Sequence, residues 1–264
     1  MNIFKVSVVR TVIAGIRSVA AYVVVSVYTL TTGPPGLLLA VLFKWPQILY
    51  WLGLQGVRLA MVFTGIRYRV VGMENVDLSR ASVYCANHTS NIEPPILYAV
   101  LCKLFPRLRI IYKAALRKLP VLGRGFEIIG WIPIDRGDRK QSREAIEQAG
   151  QALKEGNSFL IFPEGTRSRT GDLLPFKRGG FLLAIKAQAP MVPIAIHGAG
   201  AAMRKGSPIV YPVVVNVRIG KPVETVGLAH TDRDALSDEI RARIKSQLAF
   251  FSTSSDRQGT ELLS

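Results

Sequence analysis

Residues 81–95 read Ala-Ser-Val-Tyr-Cys-Ala-Asn-His-Thr-Ser-Asn-Ile-Glu-Pro-Pro. The apolar residues up to Ala86 predict a short buried strand, and the polar residues after it predict a turn. The two prolines can stand in the first turn of a helix, where a missing N–H costs no hydrogen bond. The apolar pattern through Leu104 therefore predicts a helix. This order places His88 on the turn and Glu93 at the start of the helix.

The turn can bring the imidazole of His88 and the carboxylate of Glu93 together. A carboxylate that binds one ring nitrogen leaves the other nitrogen free to take a proton from a hydroxyl. The alternative is structural, with His88 as a hydrogen-bonded surface histidine beside a glutamate that begins a helix. The stretch alone leaves both interpretations open.

The composition combines a strong positive charge with an apolar character. There are 34 Lys and Arg against 18 Asp and Glu, a formal charge of +16, which favours a phosphate-rich partner, either nucleic acid or an anionic membrane surface. Hydrophobic residues make up 49% of the chain and the mean hydropathy is +0.26. We therefore expect anionic membrane lipids as partners and no nucleic acid.

The cysteines do not indicate a metal site. The chain has two, Cys85 and Cys102, in apolar surroundings and without metal-ligand spacing. They are typical of reduced core residues in a protein exposed to the cytosol. Neither an internal repeat nor a dinucleotide-binding fingerprint is found.

The N-terminal region is long and apolar. Residues 18–43 contain no charged side chain, and roughly 20 apolar residues are enough to cross a bilayer. Gly33-Pro34-Pro35-Gly36 predicts a break in the middle of this run, and a second apolar stretch, Trp45 to Gly65, contains only Arg58. Basic residues at both ends favour cytoplasmic ends. We expect a membrane-embedded helical hairpin at residues 1–65, spanning twice or dipping into one leaflet. A signal peptide is the alternative, but the sequence lacks the small-residue cleavage site that would follow a short apolar core.

Strands alternate with helices after residue 66. Further strands are predicted at Arg67–Val71 (as an edge strand), Leu108–Tyr112, Trp131–Ile134, Ser158–Phe162 and Ile209–Ile219, and further helices at Pro120–Ile129 and Ser142–Glu155. The alternation predicts an α/β fold, with a mostly parallel sheet flanked by helices and a site at the carboxyl ends of its strands.

The C-terminal part is amphipathic and then polar. Leu236, Ile240, Ile244 and Leu248 share one face of a predicted terminal helix, which either covers the sheet or rests on lipid. We place the catalytic domain at residues 66–251 and expect a disordered tail at 252–264.

A turn rich in glycine and hydroxyls follows the predicted strand Ser158–Phe162. Its sequence from Phe162 to Ser168 is Phe-Pro-Glu-Gly-Thr-Arg-Ser, and Lys177 follows. Backbone N–H groups and basic side chains of such a turn can bind a phosphate. Glu164 would repel a phosphate, so we expect it to accept from a substrate hydroxyl or from Arg167. A solvated basic loop without a ligand is the alternative.

Four sequence blocks, in order across about residues 66–225, resemble those of the glycerolipid acyltransferase superfamily, in particular the bacterial 1-acyl-sn-glycerol-3-phosphate acyltransferases. The blocks are Asn87-His88 with Glu93 in place of the family's usual aspartate, Gly130–Arg136, the complete F-P-E-G-T-R-S motif at Phe162–Ser168, and the proline-containing strand Ala189–Ile194. A membrane hairpin before the blocks is similar as well.

The resemblance implies acyl transfer from acyl-CoA or acyl-carrier protein to the hydroxyl of a lysophospholipid. The acceptor would be 1-acylglycerol 3-phosphate and the product phosphatidate, for phospholipid synthesis. His88 would be the general base and Glu93 would orient it, with no metal, cofactor or covalent acyl-enzyme. The protein would lie at the cell (inner) membrane, with its catalytic domain facing the cytoplasm.

The expected substrate contacts come from the basic loops. Candidate phosphate contacts are Arg136, Arg167 and Lys177, and the resemblance implies that Glu164, Gly165 and Thr166 shape the acceptor site. Glycerol 3-phosphate and another lysolipid, such as lyso-ornithine lipid, remain alternative acceptors. A thioester hydrolase and a non-catalytic lipid-binding membrane protein are the alternatives of another class.

Overall fold

The computed structural model describes residues 2–135 and 137–261, with side chains described at 8–135, 137–138 and 140–251. Within these ranges seven strands form one sheet. The strands are β1 (Arg67–Val71), β2 (Val83–Ala86), β3 (Leu108–Lys113), β4 (Ile132–Ile134), β5 (Ser158–Ile161), β6 (Met191–His197) and β7 (Val214–Ile219). Their spatial order is β1-β7-β6-β2-β5-β3-β4, and only the β6–β7 pair is antiparallel. The predicted mostly parallel α/β sheet is confirmed.

Helices cover both faces of this sheet. The α-helices of the described residues are α1 (Asn2–Leu42), α2 (Gln47–Thr64), α3 (Glu93–Val100), α4 (Leu122–Ile128), α5 (Arg139–Lys154), α6 (Gly179–Ala187), α7 (Ala199–Ala202) and α8 (Arg233–Glu261). Short 3₁₀ helices lie at Met73–Asn75, Cys102–Leu104, Ala114–Lys118 and His230–Asp232. One core contains residues of α2 and α3, and the other contains residues of α5, α6 and α8.

Strand β2 lies at the centre of the sheet, between β6 and β5. Its four residues are 0% exposed, with Val83 and Cys85 in one core and Tyr84 and Ala86 in the other. A strand that is buried on both faces requires apolar residues at successive positions. Burial also raises the pKa of the Cys85 thiol, so this free cysteine stays protonated.

The terminal helix α8 covers the sheet. Leu236, Ile240 and Ile244 are at most 3% exposed and belong to the core that contains α5 and α6. Each such side chain contributes about 1.5–3 kcal/mol by leaving water. Of the two interpretations of this helix, packing against the sheet is the one the structure shows.

The same helix continues to Glu261, past residue 252, where the disordered tail was predicted to begin. The stretch from 252 to 261 contains no proline, so its sequence does not force the helix to stop. Residues 262–264 lie outside the described residues, and the division of the chain at residues 65 and 251 stays a prediction.

The predicted break at Gly33-Pro34-Pro35-Gly36 is wrong, because α1 continues through both prolines. The chain reverses instead at residues 43–46, between α1 and α2. Both prolines are on the exposed side, whereas Gly36 is buried. A Cβ at Gly33 would overlap Val121 Cγ1, and one at Gly36 would overlap Leu52 Cδ1. The glycines therefore allow close packing, and these tertiary contacts offset the cost of proline in a helix.

Helix α1 is also the part of the described chain that resembles a membrane span. Residues Val8–Leu42 form an apolar segment of 35 residues. Its most apolar stretch of 18 residues has a mean hydropathy of 1.8, and 17% of that stretch is buried. Exposed apolar side chains on it include Val12, Ile16, Val23 and Leu30. By length and composition this helix can cross a membrane, which favours membrane association.

The predicted long strand from Ile209 is shorter, since β7 begins at Val214. Pro212 has no N–H for a sheet ladder. Val210 contacts α1 instead, because its N–H donates to Ser18 Oγ at 2.8 Å, while the Ser18 hydroxyl itself donates to the Ala14 carbonyl at 2.6 Å. Residues 203–213, which we call the 203–213 segment, therefore connect the sheet to α1.

Candidate active site

The turn that follows β2 lies at the carboxyl edge of the sheet, between the loops after β5 and β6. Asn87 joins it to β6, because its amide donates to the Ile196 carbonyl at 3.0 Å and its oxygen accepts from the Ile196 N–H at 2.7 Å. The loop after β5 holds the other side, where the Ser168 N–H donates to the His88 carbonyl at 2.8 Å. The backbone on both sides thus sets the position of His88.

His88 and Glu93 form a hydrogen-bonded pair, with 2.7 Å between Nδ1 and Oε2. The Glu93 side chain is 0% exposed, and the pair lies where the strand, turn and helix were predicted to place it. The Thr89 N–H donates to Oε1 and Oε2 at 3.0 and 2.9 Å, and its hydroxyl donates to Oε1 at 2.5 Å. These donors compensate the buried carboxylate. The longer side chain in place of aspartate therefore reaches the imidazole.

This pairing determines what the imidazole can do. A carboxylate at Nδ1 favours the tautomer with its proton there, which leaves Nε2 with a lone pair. The ring packs against Phe162, with 4.5 Å between centroids, and His88 lines a large cavity. The arrangement can accept a proton from a hydroxyl bound in that cavity.

Glu164 lies beneath this turn and supports its backbone. It is 3% exposed; Oε1 accepts from the His88 N–H at 2.7 Å and Oε2 from the Leu174 N–H at 3.0 Å. Burial raises the pKa of this carboxyl, although both backbone hydrogen bonds lower it. The expected donors to Glu164 were a substrate hydroxyl or Arg167, whereas in the structure the donors are these two backbone N–H groups, so Glu164 holds the backbone of His88.

Some of the other predicted substrate contacts of this loop line the cavity, and others do not. Thr166 and Arg167 line the cavity. Gly165 has a φ of +70°, and a Cβ there would lie 2.7 Å from Lys177 Cε, so glycine allows the lysine to cross the turn. Lys177 is exposed and is not among the cavity-lining residues. Arg136 lies outside the described residues, and its proposed contact stays a prediction.

The cavity has a volume of about 1050 Å³ and is mostly apolar. Its lining includes His88 and the basic side chains of Lys113, Arg167 and Lys205. Residues of α1 to α4 line it as well, among them Tyr28, Gly33, Leu52, Tyr98 and Phe126, and so does Trp131. The N-terminal helices thus form a wall of the site.

Sequence reasoning missed two cations of this cavity, Lys113 and Lys205. Lys113 is the last residue of β3, and the rule that places sites at the carboxyl ends of parallel strands could have found it. Lys205 has no such local signal, because its position depends on how the 203–213 segment folds back. Among the described residues, no group of three or more His, Cys, Asp and Glu is placed to hold a metal ion. The metal-free reaction stays a prediction.

The chain is similar to known acyltransferases in both sequence and fold. Residues 67–197 match the profile of the family described as Acyltransferase. The fold is similar to the crystal structure of the 1-acyl-sn-glycerophosphate (LPA) acyltransferase PlsC from Thermotoga maritima, with a TM-score of 0.76 over 91% of this chain and 97% of that one. At 24% identity this likeness shows the fold.

Curated relatives named 1-acyl-sn-glycerol-3-phosphate acyltransferase are more similar in sequence. The protein of Pseudomonas aeruginosa is 34% identical over 70% of this chain and 67% of its own length, and that of Limnanthes douglasii is 32% identical over 77% and 73%. The chloroplastic enzyme BAT2 of Brassica napus is 34% identical over 68% of this chain, which spans about half (50%) of that relative's length. On this similarity, the chain belongs to the acyltransferase family.

Proposed function

We propose that the protein transfers an acyl group from acyl-CoA or acyl-carrier protein to the free hydroxyl of 1-acylglycerol 3-phosphate, giving phosphatidate for phospholipid synthesis. The observation that carries this proposal is the 2.7 Å contact between His88 Nδ1 and the fully buried Glu93, at the wall of a mostly apolar cavity. The names of the curated relatives support the acceptor.

The reaction needs one proton acceptor and no protein nucleophile. His88 Nε2 takes the proton of the acceptor hydroxyl as its oxygen attacks the thioester carbonyl. The tetrahedral intermediate then expels the thiolate, which recovers the proton from Nε2. Glu93 stabilises the imidazolium in between. Positioned proton transfer of this kind is worth roughly 10²–10⁴-fold in rate.

The lining of the cavity suits a lysophospholipid and a fatty acyl thioester. Its apolar walls suit acyl chains, whose burial is favourable at about 0.8 kcal/mol per CH₂. The cations of the lining, Lys113, Arg167 and Lys205, favour a phosphate-bearing acceptor over an uncharged one. Among the described residues of the lining, Asp135 is the one acidic side chain. We place the protein at the cell membrane through α1 and α2, with the site on the cytoplasmic side.

Product analysis tests the proposal. Purified full-length protein is supplied with a labelled acyl-CoA or acyl-carrier protein, with and without 1-acylglycerol 3-phosphate, and His88→Ala is the matched control. Labelled phosphatidate that requires both the acceptor and His88 is the expected result. Release of free fatty acid regardless of acceptor identifies a hydrolase. Parallel reactions with glycerol 3-phosphate and lyso-ornithine lipid identify another acceptor, and the absence of any product contradicts catalysis.

A further inference from the structure

Lys205 lies outside all four sequence blocks. The fold nevertheless brings its side chain to the third block, Phe162–Ser168. It is exposed, and its Nζ lies 3.3 Å from Thr166 Oγ1 and 3.1 Å from the Arg167 carbonyl oxygen. It lines the same cavity as His88 and Arg167. The ammonium group thus contacts the loop that follows β5, at Thr166 and at the backbone of Arg167, and both Lys205 and Arg167 line the cavity.

The contacts of Lys205 leave its charge available. An ammonium group has three N–H donors and no acceptor, and both of its contacts here are to neutral oxygens, so one donor remains. Within the described residues, no carboxylate lies within ion-pair distance of Nζ. A charge that is positioned without a protein counter-ion, at the wall of a cavity, is suited to bind an anion.

The backbone around Lys205 is held on both sides. Ser90, next to the catalytic turn, donates its hydroxyl to the Met203 carbonyl at 2.9 Å. On the other side, the Tyr22 hydroxyl of α1 donates to the Pro208 carbonyl at 2.6 Å, in addition to the hydrogen bond from the Val210 N–H to Ser18. These contacts reduce the freedom that the segment would lose on binding.

We propose that Lys205 binds the phosphate monoester of the acceptor together with Arg167, and thereby sets the preference for a phosphate-bearing lysolipid. The inference rests on the proposed acyl transfer to 1-acylglycerol 3-phosphate. A phosphate monoester carries a charge of about −1.5 to −2 at neutral pH and three acceptor oxygens. Arg167 can meet two oxygens with its planar fork, and Lys205 can meet the third as a compact charge.

The test is Lys205→Met in the full-length chain, with 1-acylglycerol 3-phosphate and 1-acylglycerol, which lacks the phosphate, as acceptors. Removal of one charge-assisted contact should raise the KM for the phosphate-bearing acceptor about 10- to 100-fold. The kcat, the donor KM and the kcat/KM for 1-acylglycerol should stay unchanged. Lys205→Arg should recover part of the affinity, and Lys154→Met, at an exposed position of α5, should match the unmodified protein.

Other results overturn the assignment. An equal loss with both acceptors would show a structural role, and a rise in the donor KM alone would show that Lys205 binds the phosphates of the donor. If the unmodified enzyme makes phosphatidate and Lys205→Met has the same kinetic constants, only the role of Lys205 is contradicted. An unmodified protein that acylates no phosphate-bearing acceptor would contradict the proposed function itself, and Lys205 would lose its ligand with it.

Discussion

At the scale of single residues, the buried carboxylate of Glu93 is the group on which the proposed chemistry depends. It accepts from the imidazole, from the Thr89 N–H and from the Thr89 hydroxyl. In Glu93→Gln one oxygen becomes an NH₂ group, so both the negative charge and an acceptor are lost. We expect turnover to fall by about 10²-fold or more, within the range of general-base catalysis.

Two further variants show how the loss of activity in Glu93→Gln compares with milder and more severe changes. Glu93→Asp keeps the charge but withdraws it by one methylene, so it should retain measurable activity. His88→Ala removes the base and should be the least active. Transfer of labelled acyl groups by purified variants, with folding checked by circular dichroism, compares them. A Glu93→Gln enzyme with near-normal turnover would show that His88 needs no carboxylate.

Glu164→Gln should destabilise the protein through the backbone of the same turn. Each oxygen of the buried carboxylate accepts from one half-buried N–H, whereas an amide has a single oxygen, so the His88 or Leu174 N–H loses its partner. An unsatisfied buried group costs about 1–3 kcal/mol. Denaturant unfolding in detergent measures the loss, with Glu144→Gln at an exposed position of α5 as the matched control. Equal stabilities would contradict this role of Glu164.

The raised pKa of Glu164 also predicts how stability changes with pH. Burial makes the folded state bind this proton more tightly than the unfolded state does. The resulting contribution to stability is complete below the ordinary pKa of glutamate and is lost as the pH rises through the folded pKa. The unfolding free energy of the unmodified protein, relative to that of Glu164→Gln, should therefore decline over this window. A constant difference across those pH values would contradict it.

At the scale of elements, the packing of α1 against α4 depends on small residues. Gly33 and Val121 both line the cavity, and a Cβ at Gly33 would overlap the valine side chain. Overpacking of this kind costs about 1–3 kcal/mol. We expect Gly33→Ala to displace α1 or the start of α4, lowering both the unfolding temperature and acyl transfer.

The same helix offers a matched control for this prediction. A Cβ at Gly15 would have no neighbour within 4 Å, so Gly15→Ala should not lower stability and can gain helix propensity. Thermal unfolding in one detergent, together with the acyl-transfer assay, compares the two variants. If both behaved alike, close contact at Gly33 would not be what holds α1 in place.

At the scale of the whole molecule, the apolar face of α1 lies outside the two cores of the sheet. Membrane attachment by hydrocarbon burial is not screened by salt, unlike attachment by charge. The full-length protein should therefore remain with membranes through a high-salt wash, and complete release by salt would leave only electrostatic docking.

Val23→Glu, on the exposed face of α1, should weaken retention, because a carboxylate in hydrocarbon is costly. Val226→Glu, at an exposed position of the catalytic domain, should not.

Much of the fold followed from periodicity. The run up to Ala86 was predicted as a short buried strand, and the structure places it at the centre of the sheet, where a strand buried on both faces requires apolar residues. The strand, the turn and the prolines of the following helix allowed His88 and Glu93 to meet, but left a structural interpretation open, and the family resemblance favoured the catalytic one. Both predictions rest on local constraints within residues 81–95.

Other features depended on residues far apart in the chain. The Gly-Pro-Pro-Gly stretch has the composition of a turn, but Val121 and Leu52 pack against its glycines and α1 stays continuous. Pro212 lies in an apolar run typical of a strand, but it has no N–H for a sheet ladder, and the N–H of Val210 donates to Ser18 of α1 instead of to a strand. In both cases tertiary contacts outweigh a local preference of a few kcal/mol.

The amino-acid sequence by itself determined the α/β class, the buried strand that ends at Ala86, and the places of His88 on the turn and of Glu93 at the start of the helix. It also predicted the glycine-rich loop as part of the site. Only the tertiary structure decided that Glu164 supports the His88 backbone, that Lys177 lies outside the cavity and that Lys205 enters it. The physical reason is the range of the interactions. Periodicity and turn chemistry act between neighbours in the chain, whereas hydrogen bonds and close packing at the carboxyl edge of the sheet join loops that only the folded backbone brings together.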